Sequence, residues 1–173
     1  MEETKRMKEV IRMQKYLLLI RRTVGWTAKE FGEKIGVTRQ TINNIEGGRY
    51  DLTKTQYIAM RSVLDAEMAQ SPEDTEMLRT LLEILVDHPE KYSKPEREQL
   101  LSKANMLSPA ILSGASTRKE VSKEWISTAS AICGSALAII SAITMTKKTT
   151  YPISRSAWLT KIMSDNIKKE KDE

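Results

Sequence analysis

Residues 26–50 read WTAKEFGEKIGVTRQTINNIEGGRY, and the order of caps and breakers in this stretch decides the fold. Thr27 stands three residues before Glu30, the spacing of a capping box, so a helix opens there. Gly36 breaks that helix, Thr38 caps a second one, and the Gly47-Gly48 pair ends it. The predicted helices, Thr27–Ile35 and Thr38–Glu46, are separated only by Gly36 and Val37.

Two short helices joined by a tight glycine-containing turn form a helix-turn-helix unit, whose second helix lies in the major groove of DNA. Here that helix carries Arg39, Gln40, Thr41, Asn43 and Asn44. Arg39 can donate two hydrogen bonds to guanine. Gln40 and Asn44 can pair bidentately with adenine, and the Thr41 methyl can touch thymine. Gln40 and Asn44 are four residues apart and Arg39 adjoins Gln40, so all three share one helix face. Ile42 and Ile45 fall on the opposite face, with Phe31 and Ile35 of the preceding helix as packing partners.

Outward from this unit the pattern stays helical, which predicts an all-α protein. Apolar residues at 7, 10, 11, 17, 18, 20 and 24 mark a helix from Met7 to Val24. Thr53 and Gln56 form a capping-box pattern before Tyr57, Ile58, Met60, Val63 and Leu64. Ser71-Pro72-Glu73-Asp74 reads as a cap, a first-turn proline and first-turn acids, opening a helix through Leu78, Leu81 and Leu85 that stops at Asp87-His88-Pro89. Ser93-Lys94-Pro95-Glu96 repeats that signal, and residues 108–118 (SPAILSGASTR) read as linker.

Charge is unevenly spread. The chain of 173 residues has net charge +5. Residues 15–65 hold nine Lys/Arg against five acids, whereas residues 70–100 hold four against eight. A basic N-terminal unit beside an acidic middle suits a polyanion site confined to the first. Cys133 and His88 are the only residues of their types, so an internal disulfide and a thiolate metal site are excluded. No nucleophile elbow, phosphate-binding glycine loop or paired metal ligands appear, so neither an enzyme nor a cofactor is expected. The run Leu17–Ile20 is too short for a signal sequence, so export is not expected and a cytoplasmic location is.

Residues 126–146 (ISTASAICGSALAIISAITMT) hold no charge, about the length that spans a bilayer. Seven hydroxyl side chains dilute their apolar character, and Gly134 and Ala138 present a small-residue face for close helix pairing. Two readings stay open: a buried helix in a soluble assembly, or a single span that puts the protein on the inner face of the cell membrane. Beyond Pro152, Trp158, Leu159, Ile162, Met163 and Ile167 recur at helical spacing among lysines, which suits a partner helix or an anionic membrane surface. The expected division is 1–68 as the DNA-binding domain, 69–108 as an acidic helical hairpin, 109–124 as linker and 125–173 as apolar helix plus basic tail.

Residues 16–65 resemble the Cro/repressor-type helix-turn-helix family, also called xenobiotic response element regulators. The resemblance rests on Leu17–Arg22, Thr27–Ile35, the turn Gly36-Val37-Thr38 and the run GVTRQTINNIEGGR. It implies a five-helix domain that binds two-fold operators as a dimer or higher homo-oligomer, with Arg39, Gln40 and Asn44 reading bases. It places Thr38, Thr41, Asn43 and Arg49 near phosphates. The family commonly has Gln just after the cap of the first motif helix, where it clamps a phosphate. Ala28 stands there, leaving Thr27 or Lys29 as replacements. A sequence-specific transcriptional regulator follows. Its rivals are an antitoxin or protein-interaction adaptor acting through residues 70–173, and a membrane-tethered regulator.

Overall fold

The computed structural model describes residues 2–133, and side chains for residues 7–132. The small-residue face at Gly134 and Ala138, most of the 126–146 segment and the basic tail lie outside the described residues. Every regular element among the described residues is helical: α1 (Glu2–Val24), α2 (Ala28–Ile35), α3 (Arg39–Glu46), α4 (Lys54–Gln70), α5 (Glu76–Leu81), α6 (Lys94–Leu112) and α7 (Arg118–Cys133). A π-helical segment (Leu82–Asp87) continues α5, and a 3₁₀ turn (Pro89–Lys91) leads towards α6. None of the described helices is long and apolar enough to cross a membrane.

The caps act as read. Thr27, Thr53 and Ser93 each accept from the backbone N–H three residues on, and Glu30, Gln56 and Glu96 return the bond to the cap's own N–H. Gly36 closes α2 at φ 75°, a left-handed position that costs glycine nothing. Two readings are corrected. Ser71 does not open a helix: its N–H donates to Glu67 O at 3.0 Å, so it terminates α4, and α5 starts at Glu76. Ser71 cannot end one helix and hold the extended cap geometry of the next. The stretch 109–124 is not a linker. Helix α6 runs through Pro109 to Leu112, with Ile111 packed into the core beyond the proline, and only residues 113–117 separate it from α7.

One apolar core joins the two halves. Val10, Met13, Leu17, Ile20 and Val24 of α1 pack in the same cluster as Phe31, Ile42, Ile45, Met60 and Leu64, and as Leu78, Leu81, Leu85, Leu100 and Trp125. Met7, Ile11 and Leu18, expected on the apolar face of α1, are exposed. Residues 1–68 contain α1–α3 and all but the last two residues of α4, and α5 completes the packing against α1 and α4. Buried Arg61 of α4 bridges to the π segment: its guanidinium donates to both carboxylate oxygens of Asp87, at 3.1 and 2.9 Å, and sits 3.2 Å from Asp65. Burial alone would lower the Arg61 pKa, but the two carboxylates outweigh it and hold the group charged.

Candidate nucleic-acid interface

The turn between α2 and α3 is set by backbone contact. Val37 N–H donates to Gly32 O at 2.9 Å and Gly36 N–H to Glu33 O at 3.4 Å, the paired closure of a helix ending on a left-handed residue. Gly32 lies where a Cβ would meet Val37 O at 2.6 Å, so only glycine lets the chain fold back this tightly. Phe31, Ile42 and Ile45 then close the space between α2 and α3 with almost no exposure.

This packing turns Arg39, Gln40 and Asn43 to solvent, with Arg49 exposed in the loop beyond α3. Thr41 is half-buried, its N–H donating to Thr38 Oγ1 at 3.1 Å, and the two threonine hydroxyls lie 2.9 Å apart. Asn44 is different: it is 8% exposed, and its Oδ1 accepts from Gln40 Nε2 at 3.0 Å. That bond uses one of the Gln40 amide hydrogens. The other hydrogen and the carbonyl remain, the donor and acceptor an adenine edge requires.

At the start of α2, Ala28 is buried. The Thr27 N–H donates to Glu30 Oε2 at 2.7 Å and its hydroxyl accepts from Glu30 N at 3.2 Å. Hydrogen bonds to that carboxyl from the Thr27 N–H and from the Thr27 side chain, with Lys34 and Lys29 nearby, hold Glu30 below its ordinary pKa. A carboxylate therefore occupies the helix end where a phosphate would sit, which speaks against Thr27 as a phosphate ligand. Lys29 is exposed, with only a long 3.8 Å pairing to Glu33. Lys34 instead covers the Trp26 ring at 4.6 Å, and Trp26 stacks on Phe31.

Two polar side chains of α1 that sequence reasoning missed hold α3 in place. Arg21 donates through Nε and Nη2 to the Glu46 carboxylate at 2.6 and 3.0 Å, and through Nη1 to Trp26 O at 2.8 Å. Both side chains of the pair are less than a tenth exposed. Gln14 donates to Ile45 O and Tyr50 O at 3.1 and 2.8 Å and accepts from Leu52 N at 2.9 Å, so one amide fixes the exit of α3 and the loop carrying Arg49. The available signal was a Gln in the middle of a helix otherwise read as amphipathic.

Residues 17–69, about a third of the chain, match a family model described as helix-turn-helix. This segment is a Cro/repressor-type helix-turn-helix, and the match supports a DNA-binding regulator in general terms. No curated protein and no solved structure matches the chain.

Proposed function

We propose that the protein is a sequence-specific transcriptional regulator that inserts α3 into the major groove of duplex DNA. The observation that carries this reading is the Gln40–Asn44 bond on a solvent-facing polar helix. A glutamine held by a buried neighbour presents its remaining donor and acceptor in one orientation, and a pre-set amide loses less rotamer freedom on binding a base. Arg39 and Gln40 read base edges, and Asn44 acts with them by aiming Gln40. Lys29, Thr38, Thr41, Asn43 and Arg49 line the phosphate side, with Lys29 in the place of the family's glutamine. A two-fold operator, and with it a homodimer or higher homo-oligomer, is part of the proposal, as is action in the cytoplasm.

The test begins with selection of an operator from random duplexes by the full chain, followed by fluorescence anisotropy. Gln40→Ala weakens operator binding by about 1–3 kcal/mol and leaves random DNA nearly unchanged. Asn44→Ala does the same, indirectly. Arg49→Ala weakens both and lowers the salt slope by about one unit. Equal losses on operator and random DNA for Gln40→Ala would remove its reading role. An unimpaired Gln40/Asn44 double variant would favour the adaptor reading, in which residues 70–173 hold the sensitive surface.

A further inference from the structure

On the side where α1 meets α6, two open hollows of about 330 and 250 Å³ share Lys15, Tyr16 and Leu101 and so form one groove. Its walls bring together Arg12, Lys15 and Arg22 of α1 with Lys94 and Arg97 of α6. The single acid among them is Glu98, 3.8 Å from Lys94. No acid among the described residues pairs with Lys15, Arg22 or Arg97. The floor is apolar, built from Tyr16, Leu19, Leu85 and Leu101.

The π segment shapes one edge. Its wider turn, closed by His88 N–H on Glu83 O at 2.8 Å, leaves Val86 O for Arg12 Nε at 2.6 Å. The Arg12 guanidinium is thereby fixed at the groove, and among the described residues no hydrogen bond is made by its terminal amino groups.

We propose that this groove docks an acidic amphipathic segment of a partner protein, apolar residues on the floor and carboxylates against the basic rim. Arg12 to Arg22 spans about 15 Å of helix, three turns, which a short partner helix matches. Charge complementarity selects the occupant. Five cations against one acid attract a segment rich in Glu or Asp and repel an identical groove on a second copy. An apolar floor offers nothing to the phosphates of duplex DNA. The open side leaves a small molecule largely in water, whereas small-molecule sites enclose their ligands. The concavity does not suit a flat lipid surface.

The experiment uses the full chain and a fluorescent synthetic helix with a leucine stripe flanked by glutamates. Controls carry lysine for glutamate, or serine for leucine. The acidic helix binds in a salt-sensitive manner and both controls fail. Lys15→Glu with Arg97→Glu weakens binding at least about tenfold, while Arg39→Ala does not affect it. If reversed charges unfold the chain by circular dichroism, Lys15→Gln with Arg97→Gln reports the same loss at smaller size. Equal binding of the acidic and basic helices, or no loss in the variants, overturns the proposal. So does a matching loss of random-duplex affinity in the Lys15/Arg97 variants, which makes the groove a nucleic-acid surface. Binding of phosphatidylglycerol vesicles that is lost in the Lys15/Arg97 variants, or a change of oligomer in those variants, assigns the groove to a membrane or to a second copy and overturns the proposal equally.

Discussion

Arg21→Met tests whether the buried pair with Glu46 governs the stability of the DNA-binding unit. The variant keeps most of the apolar stem but removes all three donors used in the structure. The Glu46 side chain, 8% exposed, is left as an uncompensated carboxylate, a loss worth about 3–5 kcal/mol. For a chain of 173 residues each kcal/mol moves the melting temperature by about 2–4 °C, so the midpoint falls by roughly 6–20 °C. The companion Arg21→Met/Glu46→Met removes both charges. It recovers part of the loss, because two buried charges replaced by apolar groups of similar size cost little. A residue of about 1–3 kcal/mol persists, since Trp26 O still lacks its donor. Thermal melts by circular dichroism read both variants. A single variant that loses less than about 1 kcal/mol, or a double variant that loses the sum of the two singles, would refute the buried-pair argument.

Gly32→Ala places a methyl 2.6 Å from Val37 O, a backbone atom that cannot swing away. It costs about 1–3 kcal/mol by overpacking and is read as a lowered urea midpoint; an unchanged midpoint would show that the turn yields freely. Glu76→Gln addresses pH. Burial raises the Glu76 pKa above its ordinary 4.5 despite Arg79 at 3.1 Å, so the folded state holds the proton longer than the unfolded chain. Its contribution is therefore full below about pH 4.5 and is lost as pH rises through the folded value. The variant gains on the parent chain as pH rises above 4.5 in paired melts, and a pH-independent difference between them contradicts the burial argument.

What could be read without coordinates was chemistry closed within one turn. Thr27, Thr38, Thr53 and Ser93 declare helix starts because donor and acceptor are three residues apart, and tertiary packing cannot easily overrule such a bond. Ser71 carried the same signature and misled, because its own N–H was already committed to α4. Pro109 and its small neighbours suggested a linker on composition. Packing of Ile111 in the core accompanies that helical turn, and such packing is not a local property.

The candidate site divides along the same line. Exposure of Gln40 and Asn43 follows from helical period once Ile42 and Ile45 are assigned inward, and Arg39 is exposed at the first position of the helix. The burial of Asn44 does not, since it depends on where α3 rests, and that is decided by α1. Gln14 and Arg21, seven residues apart, present one face of α1 to the exit and end of α3, across sequence separations of 31 and 25 residues that no spacing rule spans. Lys15 and Arg22, one residue further on, stand on the adjoining face that lines the groove with α6. The same rigid helix thus carries the anchors of the recognition helix and the basic wall of the docking groove. An occupant that shifts or stiffens α1 acts directly on Gln14 and Arg21. If an occupant of the groove changes DNA affinity through this helix, linkage requires DNA to change groove affinity by the same factor, and titrating the acidic helix with and without operator DNA tests it.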